Sequence, residues 1–334
     1  MREVAFIKQN KEKWLGIEQI ISGKIKKNPD DLSSVYINLV NDLSFAQTYY
    51  PKSKVLIYLN HLSSQIFQQI YKTRRIEKNR FLHFFKTEVP LLVYQYRRYM
   101  FYAFVFFILF TAIGFISSFY DKDFPRLLLG DSYVNMTIEN IKKGNAVGVY
   151  GSGTNWGSAF GIIFNNLMVG SKMYIYGIFG GVGSLYALLR NSVMLGAFQY
   201  FFQTQGALLD SARGIWLHGV FEIFSMVIET MAGLILGASI LFPKTLSRFN
   251  SFKIGFKDSF KIFLSTVPFT IVAGLIEGFI TRYALQMPVF LNLIIIFGTL
   301  SIIVYYYFIY SRIRYKKLYQ NAILPEERFQ FTDK

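Results

Sequence analysis

The sequence predicts an all-α, polytopic membrane bundle preceded by a soluble helical domain. Three observations predict it. Hydrophobic residues make up 52% of the 334 positions and the mean hydropathy is +0.31, which is too oily for a soluble enzyme of this length. Apolar runs of about 20 residues, the length that crosses a bilayer, start only at Phe101. The positive charges cluster beside those runs, where cytoplasmic loops carry them and anionic lipid head groups attract them. That placement accounts for the net charge of +16 better than nucleic-acid binding does. The chain has no cysteine, which excludes disulfides, thiolate catalysis and cysteine metal sites.

Residues 1–98 read as a cytoplasmic helical domain. The first twenty residues mix Arg2, Glu3, Lys8, Lys11, Glu12, Lys13 and Glu18 with apolar positions, unlike a signal peptide. Asn28-Pro29-Asp30-Asp31 reads as a helix start, with a cap, a first-turn proline and acids at the positive end of the dipole. Leu32, Val35, Tyr36, Leu39, Val40 and Leu43 follow at helical spacing up to Pro51. Val55, Leu56, Leu59, Leu62 and Ile66 make a second stripe. A basic stretch then runs from Lys72 through Arg74, Arg75, Lys78, Arg80 and Lys86 to Arg97 and Arg98.

Residues 99–312 read as the transmembrane bundle. Phe101–Tyr120 is the first span, and 120–155 is an outer loop with no positive excess. Trp156–Gly170 is short and interrupted by Asn165 and Asn166, so it either crosses or re-enters. Met173–Leu189 is span-length and glycine-rich, and Asn191–Leu209 is mildly polar. Gly214–Phe242 is apolar and ends at Pro243 with a basic loop of Lys244, Arg248, Lys253 and Lys257. Phe260–Thr281 and Val289–Tyr310 form a hairpin around Pro288, before a cytoplasmic tail at 313–334 with Arg314, Lys316 and Lys317. Basic clusters before Phe101, after Phe242 and after Tyr310 all require the cytoplasm. Six spans satisfy this if 156–170 crosses; four satisfy it if 156–170 re-enters and 173–189 does not cross independently. We take six.

The most informative feature is a polar stripe. His218, Glu222 and Glu229 lie in the Gly214–Phe242 run and fall within about 40° of one another at about 100° per residue. Each costs about 2.5–3.5 kcal/mol or more at membrane depth, so the stripe faces protein or trapped water. Glu277 is a further buried acid, and Arg190 and Asn191 end the third span at a similar depth, so that an Arg190 pair with Glu222 or Glu277 would neutralise a costly charge. Asn165 and Asn166 add hydrogen-bonding groups. The cluster admits two uses, structural bonding between helices or proton and ion handling. His218 and Glu222 alone are too few for zinc, which takes three or four protein ligands, and the HGVFE order lacks a zinc-protease motif. Gly177 with Gly181, and Gly233 with Gly237, are spaced for close helix packing. Gly180-Gly-Val-Gly-Ser184 has no strand before it and no lysine after it, so it is not a nucleotide loop. His61, His83 and His218 share no setting for a catalytic set. No cofactor, resident metal or enzymatic activity is expected.

Phe164-Asn-Asn166, Leu188-x-x-Asn191-x-x-x-x-Gly196, His218-Gly-x-x-Glu222, Gly233-x-x-x-Gly237…Pro243 and Ala273-Gly-Leu-Ile-Glu277 occur in an order that resembles the stage II sporulation protein M family, the DUF95 membrane proteins. Leu43-x-x-Ala46-x-x-Tyr49-Tyr-Pro51 and Tyr58-Leu-Asn-x-Leu62 carry the resemblance into the soluble part, so that it covers about residues 5–315. The resemblance implies a bacterial cytoplasmic-membrane protein with both termini inside. It also implies a non-catalytic scaffold that anchors peptidoglycan-degrading partners during engulfment; relatives also occur in bacteria that do not sporulate. The expected partners are the lipid bilayer and other envelope proteins, with a homo-oligomer allowed and nucleic acid excluded. The alternative function is a proton- or ion-coupled permease using the buried histidine and glutamates.

Overall fold

The computed structural model describes residues 2–23, 29–72, 79–151 and 154–322. The expected cap at Asn28, the basic residues Arg74, Arg75 and Lys78, and the tail beyond Ala322 lie outside the described residues. The described residues are helical with no strand, and they fall into two compact units, Met1–Arg80 and Phe81–Lys334. The division precedes residue 98, so the segment 81–98 belongs with the second unit.

The first unit is built from α1 (Glu3–Ile21), α2 (Pro29–Tyr49) and α3 (Lys54–Lys72). The helical spacing read from the sequence is the spacing that packs. Leu32 and Leu39 of α2 and Val55, Leu59, Leu62 and Ile66 of α3 are buried, with Trp14 and Ile17 of α1 closing the core. Trp14 donates its indole N–H to Asp42 at 2.8 Å, and Asp42 also pairs with Lys13. Tyr58 donates to Glu18 at 3.0 Å. Burial, then the adjacent Glu18 carboxylate, push the Tyr58 phenol up to about 12.

The second unit starts with α4 (Arg80–His83), a π-helical turn Phe84–Glu88, and α5 (Val89–Gln95). It continues with α6 (Arg97–Tyr120), α7 (Phe124–Leu129), α8 (Asp131–Lys142), α9 (Asn155–Ile175), α10 (Val182–Thr204), α11 (Leu208–Leu241) and α12 (Arg248–Phe279). It closes with α13 (Val289–Val304), a π-helical turn Tyr305–Tyr310, and α14 (Ser311–Ala322). Among the described residues, four stretches are long and apolar enough to cross a membrane: α6, α11, α12 and the run from Val289 to Leu318.

The stretch from 156 to 209 differs from its expectation. It forms two helices, not three segments, and the break falls at Tyr176–Gly181, inside the run read as the span Met173–Leu189. Gly180 and Gly181 take φ of +67° and +86°, a conformation that residues with a Cβ rarely adopt, so the chain turns sharply there. The stretch from 121 to 151 is also more regular than its composition suggests. Its helix α8 buries Val134 against Phe201 and Phe202 of α10.

Helix α11 is central and packs against α6, α9, α10, α12 and α13. Side-chain registers fix the directions of its neighbours. Asn166 meets Glu222, Gly170 meets Glu229, Gly177 meets Gly233 and Gly181 meets Gly237, so α9 runs parallel to α11. His218 meets Thr281 and Glu229 meets Thr266, so α12 is antiparallel to it. Gly196 abuts Thr111 and Phe115, and Tyr200 packs against Phe115 and Phe119, so α10 runs parallel to α6. The expected small-residue contacts are present. A Cβ on Gly177 would run into the Gly233 carbonyl, and one on Gly237 into the Gly181 backbone.

The basic clusters meet at one end of this unit. Glu88 pairs with Lys261 at 2.6 Å, Tyr96 donates to Asp258 at 3.0 Å, and Tyr94 lies against Tyr315 with ring centroids 4.4 Å apart. The two π-helical turns dock there as well. Tyr306 and Tyr310 donate to the carbonyls of Phe85 and Lys86 at 2.9 and 3.0 Å, and Arg314 reaches Thr87 at 2.7 Å. A π turn disturbs the regular carbonyl ladder, and these side chains supply partners for it.

Candidate functional site

Helix α11 presents His218, Glu222, Ser225 and Glu229 on one face by their spacing of three and four residues. These side chains line a cavity of about 720 Å³ walled by α9, α10, α11 and α12 and roofed by Leu128, Leu129 and Tyr133 of the outer loop. Residues of α9 and α10, which are joined through the Gly180–Gly181 turn, line the cavity together with the polar face of α11.

His218 is 3% exposed. Its Nδ1 lies 2.9 Å from the Thr281 hydroxyl, and its Nε2 lies 3.9 Å from Glu277 Oε2. Glu222 accepts from the Asn166 amide and stands within hydrogen-bonding reach of Glu277. One donor atom from each of His218, Glu222 and Glu277 lies within 4.8 Å of the others. Deeper in the bundle, Glu229 is 4% exposed and accepts from Thr266 Oγ1 at 2.9 Å. It fits because the facing residue is Gly170, where any Cβ would meet the Glu229 carboxyl.

The remaining expected residues divide. Asn165 and Asn191 line the cavity, Asn165 being exposed and Asn191 half-buried with its amide donating to the Ala187 carbonyl at 2.8 Å. Arg190 is exposed and outside the cavity lining. The expected Arg190 pair is replaced: Asn166 and Glu277 face Glu222, and His218 faces Glu277. Because Arg190 and Asn191 are consecutive on α10, they diverge by about 100°, and only the asparagine turns inward.

Four contributors escaped the sequence reading. Ser225 lies three residues past Glu222 on the same face, so the stripe's own spacing would have found it. Thr266, Thr281 and Tyr133 carry no such signal, because their roles arise only when α12 and the outer loop fold against α11. Burial pushes the Tyr133 phenol above its ordinary value, the Thr137 hydroxyl pulls it back, and the Glu277 carboxylate adds to the rise.

Chemically, the site combines three carboxyls and an imidazole in one cavity, and no lysine or arginine lines it. Two carboxyls in contact repel when both are ionised, a repulsion that a shared proton or a bound cation would relieve.

Residues 103–282 match the family described as Stage II sporulation protein M. Residues 4–72 match a separate domain of unknown function, DUF8413, so the resemblance read across the N-terminal helices belongs to another domain type. No curated protein and no solved structure matches the chain. The first match spans more than half of the 334 residues and contains every carboxyl of the cavity; the chain belongs to the stage II sporulation protein M family.

Proposed function

We propose that this membrane protein crosses a bacterial cytoplasmic membrane six times, with both termini inside, and acts as a proton- or cation-coupled permease through the α9–α12 cavity. The observation that carries this reading is the cavity itself, which reaches Glu229 in the middle of α11. Acids that served only to fix helix packing would be enclosed by paired neighbours with no space beside them.

The register of α9 and α10 supports the reading of six crossings. Helix α9 has 21 residues, about 31 Å at 1.5 Å per residue, against a hydrocarbon thickness of about 30 Å. It runs beside α11 from the level of Glu222 to that of Gly233, and α10 runs back in the opposite direction beside α6. Both therefore cover the depth of helices that are apolar enough to cross on their own. The gathering of the basic ends of α6, α12 and α14 at one end of the bundle supports placing that end in the cytoplasm.

The test is flux in liposomes reconstituted with the purified chain under an imposed proton or cation gradient. Glu222→Gln and Glu229→Gln are expected to abolish flux while the protein stays folded. Unchanged flux in both variants would overturn the permease reading.

A second reading keeps the scaffold role that the family implies. It is favoured by the first unit, which exposes Val4, Ile37 and Ile57 at 77%, 60% and 72% although its core is complete, leaving apolar surface for other envelope proteins. Affinity purification in mild detergent would then recover peptidoglycan-remodelling partners, and recovery of no envelope protein would count against it.

A further inference from the structure

We propose that His218, Glu222 and Glu277 form a binding site for a divalent first-row transition-metal ion. The inference rests on the reading of the cavity as ion-handling and names the ion. Two ligands on one helix are too few, but folding brings Glu277 of α12 to the pair on α11 and makes three.

The geometry resembles a ligand set. The three donor atoms lie within 4.8 Å of one another. Metal–ligand bonds of about 2.0–2.2 Å need them drawn together by about 1–2 Å, within the reach of side-chain rotation. The outer shell is also in place. Thr281 holds Nδ1 of the imidazole at 2.9 Å, which turns Nε2 toward Glu277, and the Asn166 amide orients Glu222. Ligating histidines and carboxylates are fixed in this way.

A second and independent observation points to a ligand in the same space. Ser225 is 2% exposed, lines the cavity, and its hydroxyl has no hydrogen-bond partner among the described residues. A buried hydroxyl left unsatisfied costs about 1–3 kcal/mol, and a water held by a metal ion with open coordination positions would satisfy it. Charge argues the same way. Glu222, Glu229 and Glu277 share a cavity lined by no lysine or arginine, and a dication balances two of the three.

The donor types select the ion. Imidazole nitrogen with two carboxylates suits manganese, iron or zinc, whereas magnesium and calcium favour oxygen alone.

The experiment uses the full chain in mild detergent, purified through a tag without histidines, stripped of metal and titrated calorimetrically with Zn²⁺ or Mn²⁺. One ion per chain is expected, with Mg²⁺ in excess failing to displace it. Glu277→Gln and His218→Asn should each weaken binding about tenfold or more, and Asp131→Asn on the exposed outer loop should leave it unchanged. If the two site variants fail to fold, a His61→Ala, His83→Ala double variant leaves His218 as the sole imidazole of three. Pulsed electron spin resonance of its bound Mn²⁺ should then show nitrogen coupling. No saturable binding, binding that survives both site substitutions, or an absent nitrogen coupling would overturn the site. The readout separates the two ideas. A chain that passes protons but binds no metal loses only this site, and one that binds metal but passes nothing loses only the permease reading.

Discussion

Helices α6 and α11 look alike by hydropathy and differ in everything else. Their most apolar windows average 2.3 and 1.9, yet 17% of the first is buried within the protein against 61% of the second. Helix α6 turns Phe101, Val105, Ile108 and Ile116 outward and has no Asp, Glu, Lys, Arg or His from Phe101 to Phe119. Helix α11 buries His218 and Glu229. In a soluble protein polar residues mark the surface; in this bundle they mark the interior, because acyl chains cannot satisfy them. Among the four apolar stretches, the two of higher hydropathy, α6 and Val289–Leu318, are the less buried pair.

Substitutions that exchange the properties of these helices should show it, and the largest effect should come from filling the closest approach of α11. Gly237→Leu forces a side chain into the Gly181 backbone and is expected to cost about 3 kcal/mol or more, read as loss of monodisperse protein in detergent. Gly298→Leu on α13 meets nothing within 4 Å and should leave the yield unchanged. Next, Ile108→Lys places a charge on the outward face of α6, where the side chain is 63% exposed. An insertion penalty of about 2.5–3.5 kcal/mol should appear as reduced membrane integration in a topology-reporter assay. A smaller loss, about 1–2 kcal/mol, is expected for Thr266→Val, which removes the hydroxyl that Glu229 accepts from; thermal unfolding in detergent measures it.

The smallest effect lies outside the spans. Lys261 hydrogen-bonds Glu88 and holds its carboxyl below the usual range. A lowered value means that the pair stabilises the fold above the unfolded carboxylate value of about 4.3. That contribution disappears as pH falls through the lower folded value. Because the Glu88 side chain is 33% exposed, screening limits the gain to less than about 1 kcal/mol. Glu88→Gln should lower the neutral-pH plateau by that small amount and leave the acid end unchanged, which flattens the acid limb of stability against pH.

Much of this was readable in the chain because one residue's spacing reported its own environment. The period of Leu32, Leu39, Leu59 and Ile66 placed the core of the first unit, and the angle between His218 and Glu229 placed the wall of the cavity. Hydropathy was blind to the turn at Gly180–Gly181, since a positive φ leaves no trace in an apolarity average; the paired glycines were the available signal for a helix end. The start of α12 at Arg248, twelve residues before the expected Phe260, follows from Ser247 capping the helix by accepting from the Asn250 N–H. Charge held no clue to the outward turn of Arg190. The grouping of residues 81–98 with the second unit depends on Tyr306, Tyr310 and Arg314, more than two hundred residues away in sequence.

The latch between the two π-helical turns has a mechanical corollary. Strain travelling along the polypeptide from residue 80 meets Phe85, Lys86 and Thr87 before it reaches α6, and those residues are gripped by the closing helices. A tug on the leading segment is thus delivered to the first and last apolar rods together, and the bundle takes the pull as a closed hoop instead of unravelling from one end.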